Sequence, residues 1–186
     1  DVIVGVPGEH KYGSSTGGVV FIYGNTNPAT PPTLDRLPGP NYQGGRFGLS
    51  VAAAGDYNGD GGGDVIVGAP YTPSPNGKGT AYIYFGANTL DASVDVVLHT
   101  FLYQDGFGFS VASAGDFNGD GLGDVIVGAM WDDNNGLTNS GSAFIFFGGI
   151  TGTKRADADA DVILNGQNQD DALGISVASA GDFNGD

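Results

Sequence analysis

Two stretches of the chain carry the same oxygen-bearing side chains at the same spacing. Asp56, Asn58, Asp60 and Asp64 occupy positions 1, 3, 5 and 9 of one run, and Asp116, Asn118, Asp120 and Asp124 repeat it. Glycine stands at position 6 of each (Gly61, Gly121), where the chain must turn sharply. A turn rich in Asp, Asn and Gly accounts for one such aspartate, because short acceptors hydrogen-bond their own backbone. Three carboxylates at close quarters repel one another unless a cation lies among them. The pattern suits a hard divalent cation held by oxygen. Calcium, with about 6–8 ligands in tolerant geometry, suits it better than magnesium. The backbone carbonyl at position 7, Gly62 or Leu122, would complete each set, leaving the side chain there free to vary. Asp182, Asn184 and Asp186 begin another copy, and Asp1 supplies the ninth position of an earlier one. An EF-hand is excluded, since position 12 is Val67 or Val127 where a bidentate Glu is needed.

These loops must be positioned by strands, and the strands repeat with them. Residues 47–70 recur as 107–130 with 19 of 24 positions identical, and a third copy starts at Leu173. The spacings are 63 residues (Asp1 to Asp64), 60 (Asp64 to Asp124) and 66 (Asp116 to Asp182). Each period holds four strand-like runs, near 49–54, 64–69, 79–86 and 94–101 in the more central copy, with the Asp loop between the first two. Four short strands at a fixed period describe a propeller blade. The small first strand (Ser50, Ala52, Ala53, Ala54) suits the narrow axis, and the aromatic third strand suits the wider space between blades. The fold class is therefore all-β, a partial array of about three blades of four antiparallel strands. The expected division is a partial blade at 1–45, complete blades at 46–104 and 105–170, and a first strand with the start of a loop at 171–186. Both ends fall inside the loop motif, which reads as a slice of a longer array. The alternative is a ring assembled from several chains.

Composition narrows the function classes. Six basic and 21 acidic residues give a net charge of −15, against the cationic footprint that nucleic acid or an anionic membrane requires. All the acids but Glu9 are Asp, the acid of turns and metal loops. There is no Cys, hence no disulfide framework and no thiolate nucleophile. No apolar run is long enough to span a membrane. The two histidines, His10 and His99, sit in no nucleophile or zinc motif, so no catalytic residue is assigned.

Strand parity puts the Asp loops on one face of the blades and the connections between strands 2 and 3, and between blades, on the other. That second face carries Tyr12, Tyr42, Tyr71, Tyr103 and Trp131, the only Trp, with Asp132 and Asp133 following it. Variable loops on a rigid scaffold are where recognition usually resides. Trp131, Asp132, Asp133, Tyr71 and Tyr103 are the candidate ligand-binding residues, for a protein or carbohydrate partner.

The "FG" of Phe47–Gly48 and Phe107–Gly108, the Asp loop, and the "GAP" of Gly68–Ala69–Pro70 resemble FG-GAP repeats, the blades of the integrin α-chain propeller. The resemblance covers essentially the whole chain. Leu173 replaces the Phe of one "FG", and Val6 and Met130 depart from "GAP" without touching a ligand position. The resemblance implies calcium between the first two strands of a blade and an extracellular or cell-surface setting. It implies a scaffold for adhesion or ligand recognition. A structural component of a surface or filamentous assembly, or the non-catalytic propeller of a larger secreted enzyme, are the alternatives. Further blades, from the same longer chain or from other copies, are the remaining expected partners.

Overall fold

The computed structural model describes residues 1–8, 10–11, 14–15, 17–23, 33–38, 44–72, 78–86, 93–100 and 105–181. The fold is all-β. The first sheet is antiparallel, in the order β1 (Val2–Val6), β4 (Gly18–Tyr23), β5 (Thr33–Pro38), with a two-stranded ribbon, β2 (His10–Lys11) and β3 (Ser14–Ser15), in the connection after β1. The second blade is β6 (Ser50–Gly55), β7 (Asp64–Ala69), β8 (Thr80–Tyr84) and β9 (Val96–His99), each antiparallel to the next. The third repeats it with β10 (Phe107–Gly115), β11 (Asp124–Ala129) and β12 (Ser142–Phe146). Before its last strand come β13 (Gly152–Arg155) and a four-residue helix, α1 (Ala156–Asp159). β14 (Val162–Asn165) then completes the blade on β12.

Blades bury both faces of their middle strands, which explains why β7 and β11 read as nearly continuous apolar runs. One core cluster, with Leu37, Phe47, Val67, Tyr82 and Tyr84, fills the seam between the first and second blades. Another, with Ile66, Ile83, Leu98, Phe107, Val127 and Phe144, fills the seam between the second and third. The aromatic side chains of β8 thus enter one seam and Ile83 the other, as strand alternation requires.

The two short motifs of the repeat meet across these seams. A Cβ at Gly5, Gly68 or Gly128, the first residue of "GAP" and its variants, would collide with the carbonyl oxygen of Gly48, Gly108 or Gly174 in the following blade. The hydroxyls of Ser50 and Ser110 donate to the same Gly108 and Gly174 carbonyls at 2.9 and 2.6 Å. Phe47 and Phe107 are fully buried beside this contact, with ring centroids 5.7 Å from Tyr82 and Phe144 respectively. Leu173 keeps the backbone bridge to Gly141 that Phe47 makes to Gly17 and Phe107 to Gly79, so the Phe-to-Leu change preserves the seam.

One feature is absent from the four-strand reading. β13 leaves its own blade and pairs in parallel with β9, from Gly152 opposite Val96 to Arg155 opposite His99, making a fifth strand on the second sheet. Ala156 of α1 is then buried in the seam. Leu98 of β9 is fully buried, whereas Leu164, at the matching position of β14, is 47% exposed. At the other end Val2 and Val4 of β1 are exposed, while Val67 and Val127, which match Val4, are buried.

Gly68→Ala is expected to lower stability by about 1–3 kcal/mol, the usual effect of overpacking. Urea unfolding followed by tyrosine and tryptophan fluorescence checks it, and an unchanged midpoint would contradict the glycine seam.

Candidate functional site

The two complete Asp loops join strands 1 and 2 of their blades and have closely similar internal bonding. The ninth-position aspartates are the innermost. Asp64 and Asp124 are buried at the head of β7 and β11. Asp64 Oδ2 accepts the Tyr57 and Asn58 amides at 2.8 and 3.2 Å, and its Oδ1 accepts Gly86 N at 2.8 Å. Asp124 accepts Phe117 N, Asn118 N and Gly148 N in the same way. Burial nonetheless pushes the Asp64 carboxyl above its ordinary range.

The outer positions fold into Asx turns. Asp56 Oδ2 accepts Gly61 N at 3.0 Å, Asn58 Oδ1 accepts Asp60 N at 2.9 Å, and Asp60 Oδ1 accepts Gly62 N at 2.7 Å. Asn58 and Gly62 hold the exposed Asp60 carboxyl below the usual carboxylate range. Asp116, Asn118 and Asp120 repeat these bonds to Gly121, Asp120 and Leu122. Among the described residues no group of three or more His, Asp or Glu side chains is gathered into a metal-holding cluster. Each loop instead offers three carboxylates, one side-chain amide and backbone carbonyls.

A hard divalent cation fits this donor set on one specific observation. Asp56 Oδ1 is buried and has no hydrogen-bond partner. An orphaned carboxylate oxygen is costly, and a cation would satisfy it without displacing the N–H bonds made by the other oxygens. Asp56, Asn58, Asp60, Asp64 and the Gly62 carbonyl would hold the ion in the second blade. The same donor types, Asp116, Asn118, Asp120, Asp124 and the Leu122 carbonyl, would do so in the third, where Asp116 Oδ1 is not orphaned but accepts Asp120 N at 2.9 Å. Asp1 is exposed at the start of the first sheet, and Asp182, Asn184 and Asp186 lie outside the described residues.

The position-7 side chain is not idle, contrary to the expectation of free variation. A Cβ on Gly59 of the other loop would lie 3.0 Å from Leu122 Cδ2, and one on Gly148 would lie 2.6 Å from Leu122 Cβ. Leu122 is wedged between the second-blade loop and the Gly148–Gly149 turn.

On the opposite face the described candidates form a row. Tyr71 and Trp131 occupy equivalent positions after "GAP" and "GAM", with ring centroids 6.0 Å apart. Phe109 meets Trp131 edge-on at 5.8 Å, and the Arg46 guanidinium lies 4.9 Å above the Tyr71 ring. Trp131 is half-buried and Tyr71 exposed. Asp132 is buried and accepts Asn134 Nδ2 at 3.0 Å, while exposed Asp133 accepts Asn139 N at 2.7 Å and braces its own loop. Tyr103, Tyr12 and Tyr42 lie outside the described residues. Sequence reading missed Arg46 and Phe109. Both lie within two residues of an "FG", and that proximity was the available signal.

It also missed Asp105, two residues before Phe107. This acid is buried, its Oδ2 has no partner, and Trp131 N donates to its backbone carbonyl at 3.1 Å. Burial, then repulsion from Asp132 and Asp133, pushes its carboxyl up to about 7, against opposing contributions from Thr100 and Lys78. Between about pH 4 and 7 the folded chain therefore keeps a proton that the unfolded chain releases. The resulting stabilisation is full below pH 4 and is lost as pH rises through 7. Asp105→Asn is expected to flatten this decline in urea midpoints measured at pH 5 and pH 8. The same decline in both proteins would contradict it.

The comparisons agree with this geometry. The FG-GAP repeat profile matches residues 47–84 and 107–146. Integrin alpha pat-2 of Caenorhabditis briggsae is 42% identical over 100 residues, covering 50% of this chain and 8% of that protein. Integrin alpha-IIb of Mus musculus is 42% identical over 87 residues, 46% of this chain and 8% of its own length. Phosphatidylinositol-glycan-specific phospholipase D of Bos taurus is 32% identical over 151 residues, 76% of this chain and 17% of its own. The chain thus spans a small fraction of the relatives it matches. With two matched repeats, their Asp loops and their glycine seam in place, the chain belongs to the FG-GAP, integrin α-like family.

Proposed function

We propose that the chain is a calcium-stabilised segment of an extracellular or cell-surface β-propeller that recognises a protein or glycan through the face opposite its calcium loops. The observation that carries this reading is the division of labour between faces. One holds two oxygen-rich loops, with the orphaned Asp56 oxygen in the first, and the other holds an accessible aromatic row crossing two blades. Aromatic faces beside Asp and Asn suit stacking on a sugar or anchoring a protein side chain. The segment itself is read as non-catalytic. His99, the histidine whose side chain is described, has Nδ1 2.9 Å from the neighbouring Thr100 carbonyl, an orienting contact with no nucleophile attached. The phospholipase D relative supports a second placement of the same scaffold, as the propeller part of a larger secreted enzyme.

Further blades are the other proposed partner, from the same longer chain or from other copies. Exposed Val4 at one end, and exposed Leu164 at the other, sit where the internal seams bury their counterparts Val67 and Leu98. No helix of the described residues is long and apolar enough to cross a membrane.

Bound at ten times its Kd, calcium would add about 1.4 kcal/mol per site, and two sites about 3 kcal/mol. Asp120→Ala is expected to remove at least about half of the calcium-dependent rise in Tm, or about 3 °C or more. Identical melts in calcium and in chelator, for both proteins, would contradict the metal reading. Trp131→Ala is expected to abolish capture on a glycan and receptor array while leaving the Tm within about 2 °C. Undiminished capture would remove Trp131 from the recognition surface.

A further inference from the structure

The two loops are not separate modules. The Gly123 amide donates to the Asp56 carbonyl at 2.9 Å, and the Gly149 amide donates to the Tyr57 carbonyl at 2.6 Å. Gly123 lies between Leu122 and Asp124, both assigned above to the third-blade ion, and Asp56 is assigned to the second-blade ion. A single peptide unit therefore connects the two ligand sets. The approach requires glycine, because a Cβ at Gly123 would collide with the Ala54 carbonyl and lie 3.0 Å from Gly55 Cα. Leu122 adds the side-chain wedge against Gly59. Tyr57, the second residue of its loop, is fully buried in the cluster that contains Val125 and Phe146 of the third blade. Phe117, at the same position of the next loop, is 57% exposed and stacks on Phe147 of its own blade at 6.3 Å.

We propose that the two cation loops are energetically coupled through this seam, so that an ion held by residues 116–124 raises the affinity of residues 56–64 for theirs. The proposal rests on the calcium reading of both loops. An ion drawing on the Leu122 carbonyl and the Asp124 carboxylate fixes the 122–124 backbone. It also polarises the Leu122–Gly123 peptide, which makes Gly123 N–H a stronger donor to Asp56. Ordering of the seam is then already complete when the second ion arrives, so that ion binds at a smaller entropic cost. Mutual repulsion of the two ions opposes this, but it acts through a solvated surface and is screened by salt. Linkage makes the effect reciprocal.

Calcium titration calorimetry of the 186-residue chain tests it, in about 1 M KCl, where the screening length is about 3 Å and direct charge effects are suppressed. In Asp120→Asn the third-blade loop loses a ligand. The intact second-blade loop is expected to bind calcium at least about five-fold more weakly than in the unaltered chain. Asp60→Asn is expected to weaken the third-blade loop by the same factor. Leu122→Ala keeps every carboxylate and the position-7 carbonyl, and is expected to shrink the effect of Asp120→Asn on the second-blade loop. Two calcium ions whose affinities stay within about two-fold when the other loop is altered would overturn the coupling and leave the metal reading intact. No calcium uptake by the unaltered chain would overturn both.

Discussion

A buried carboxylate at the head of β7 and another at the head of β11 organise the rest. Asp64 and Asp124 are out of reach of solvent, and each accepts three backbone amides, two from its own loop and one from the turn after strand 3. Charge-assisted bonds of this kind are the strong ones, and three of them offset much of the cost of desolvating the anion. In one stroke they tie the loop to its strand and to the far end of the sheet. The outer aspartates can then crowd onto a short glycine-rich turn because its backbone is already fixed. What the amides leave unsatisfied in the second-blade loop, Asp56 Oδ1, is the demand that a cation would answer.

From that fixed point the structure extends across the seam. The turn after strand 3, held by Asp124 through Gly148, passes its next amide to Tyr57 of the preceding blade. At the other face the glycines of the two short motifs bring backbone against backbone. The second and third blades are therefore joined by main-chain contacts at both faces, with aromatic and aliphatic side chains filling the space between. The rings of the aromatic row share that face but take no part in the backbone contacts of those motif glycines.

Much of this was legible in the sequence, because the repeat states each rule more than once. Position 64–69 and 124–129 as strands, the loops before them and the bulky third strands follow from local pattern. The fourth strands were legible too, though shorter than their apolar runs. β13 was not. Gly152–Arg155 and α1 form a charged, small-residue stretch without a large apolar side chain, and its pairing with β9 is made by the neighbouring blade rather than by propensity. The contrast between buried Tyr57 and exposed Phe117 is of the same kind. Nothing local distinguishes two aromatic residues at one loop position; what differs is which blade lies beside each. Asp105 was missed because an isolated acid next to glycine reads as a turn, and only the packed seam shows that it is buried.

The central claim is that the Asp loops hold calcium and thereby hold the blades. Native mass spectrometry of the chain, in calcium and again after chelation, counts the ions directly. Two or more calcium ions per chain, lost with chelator, is the predicted result. A chain that carries none in calcium would contradict the account.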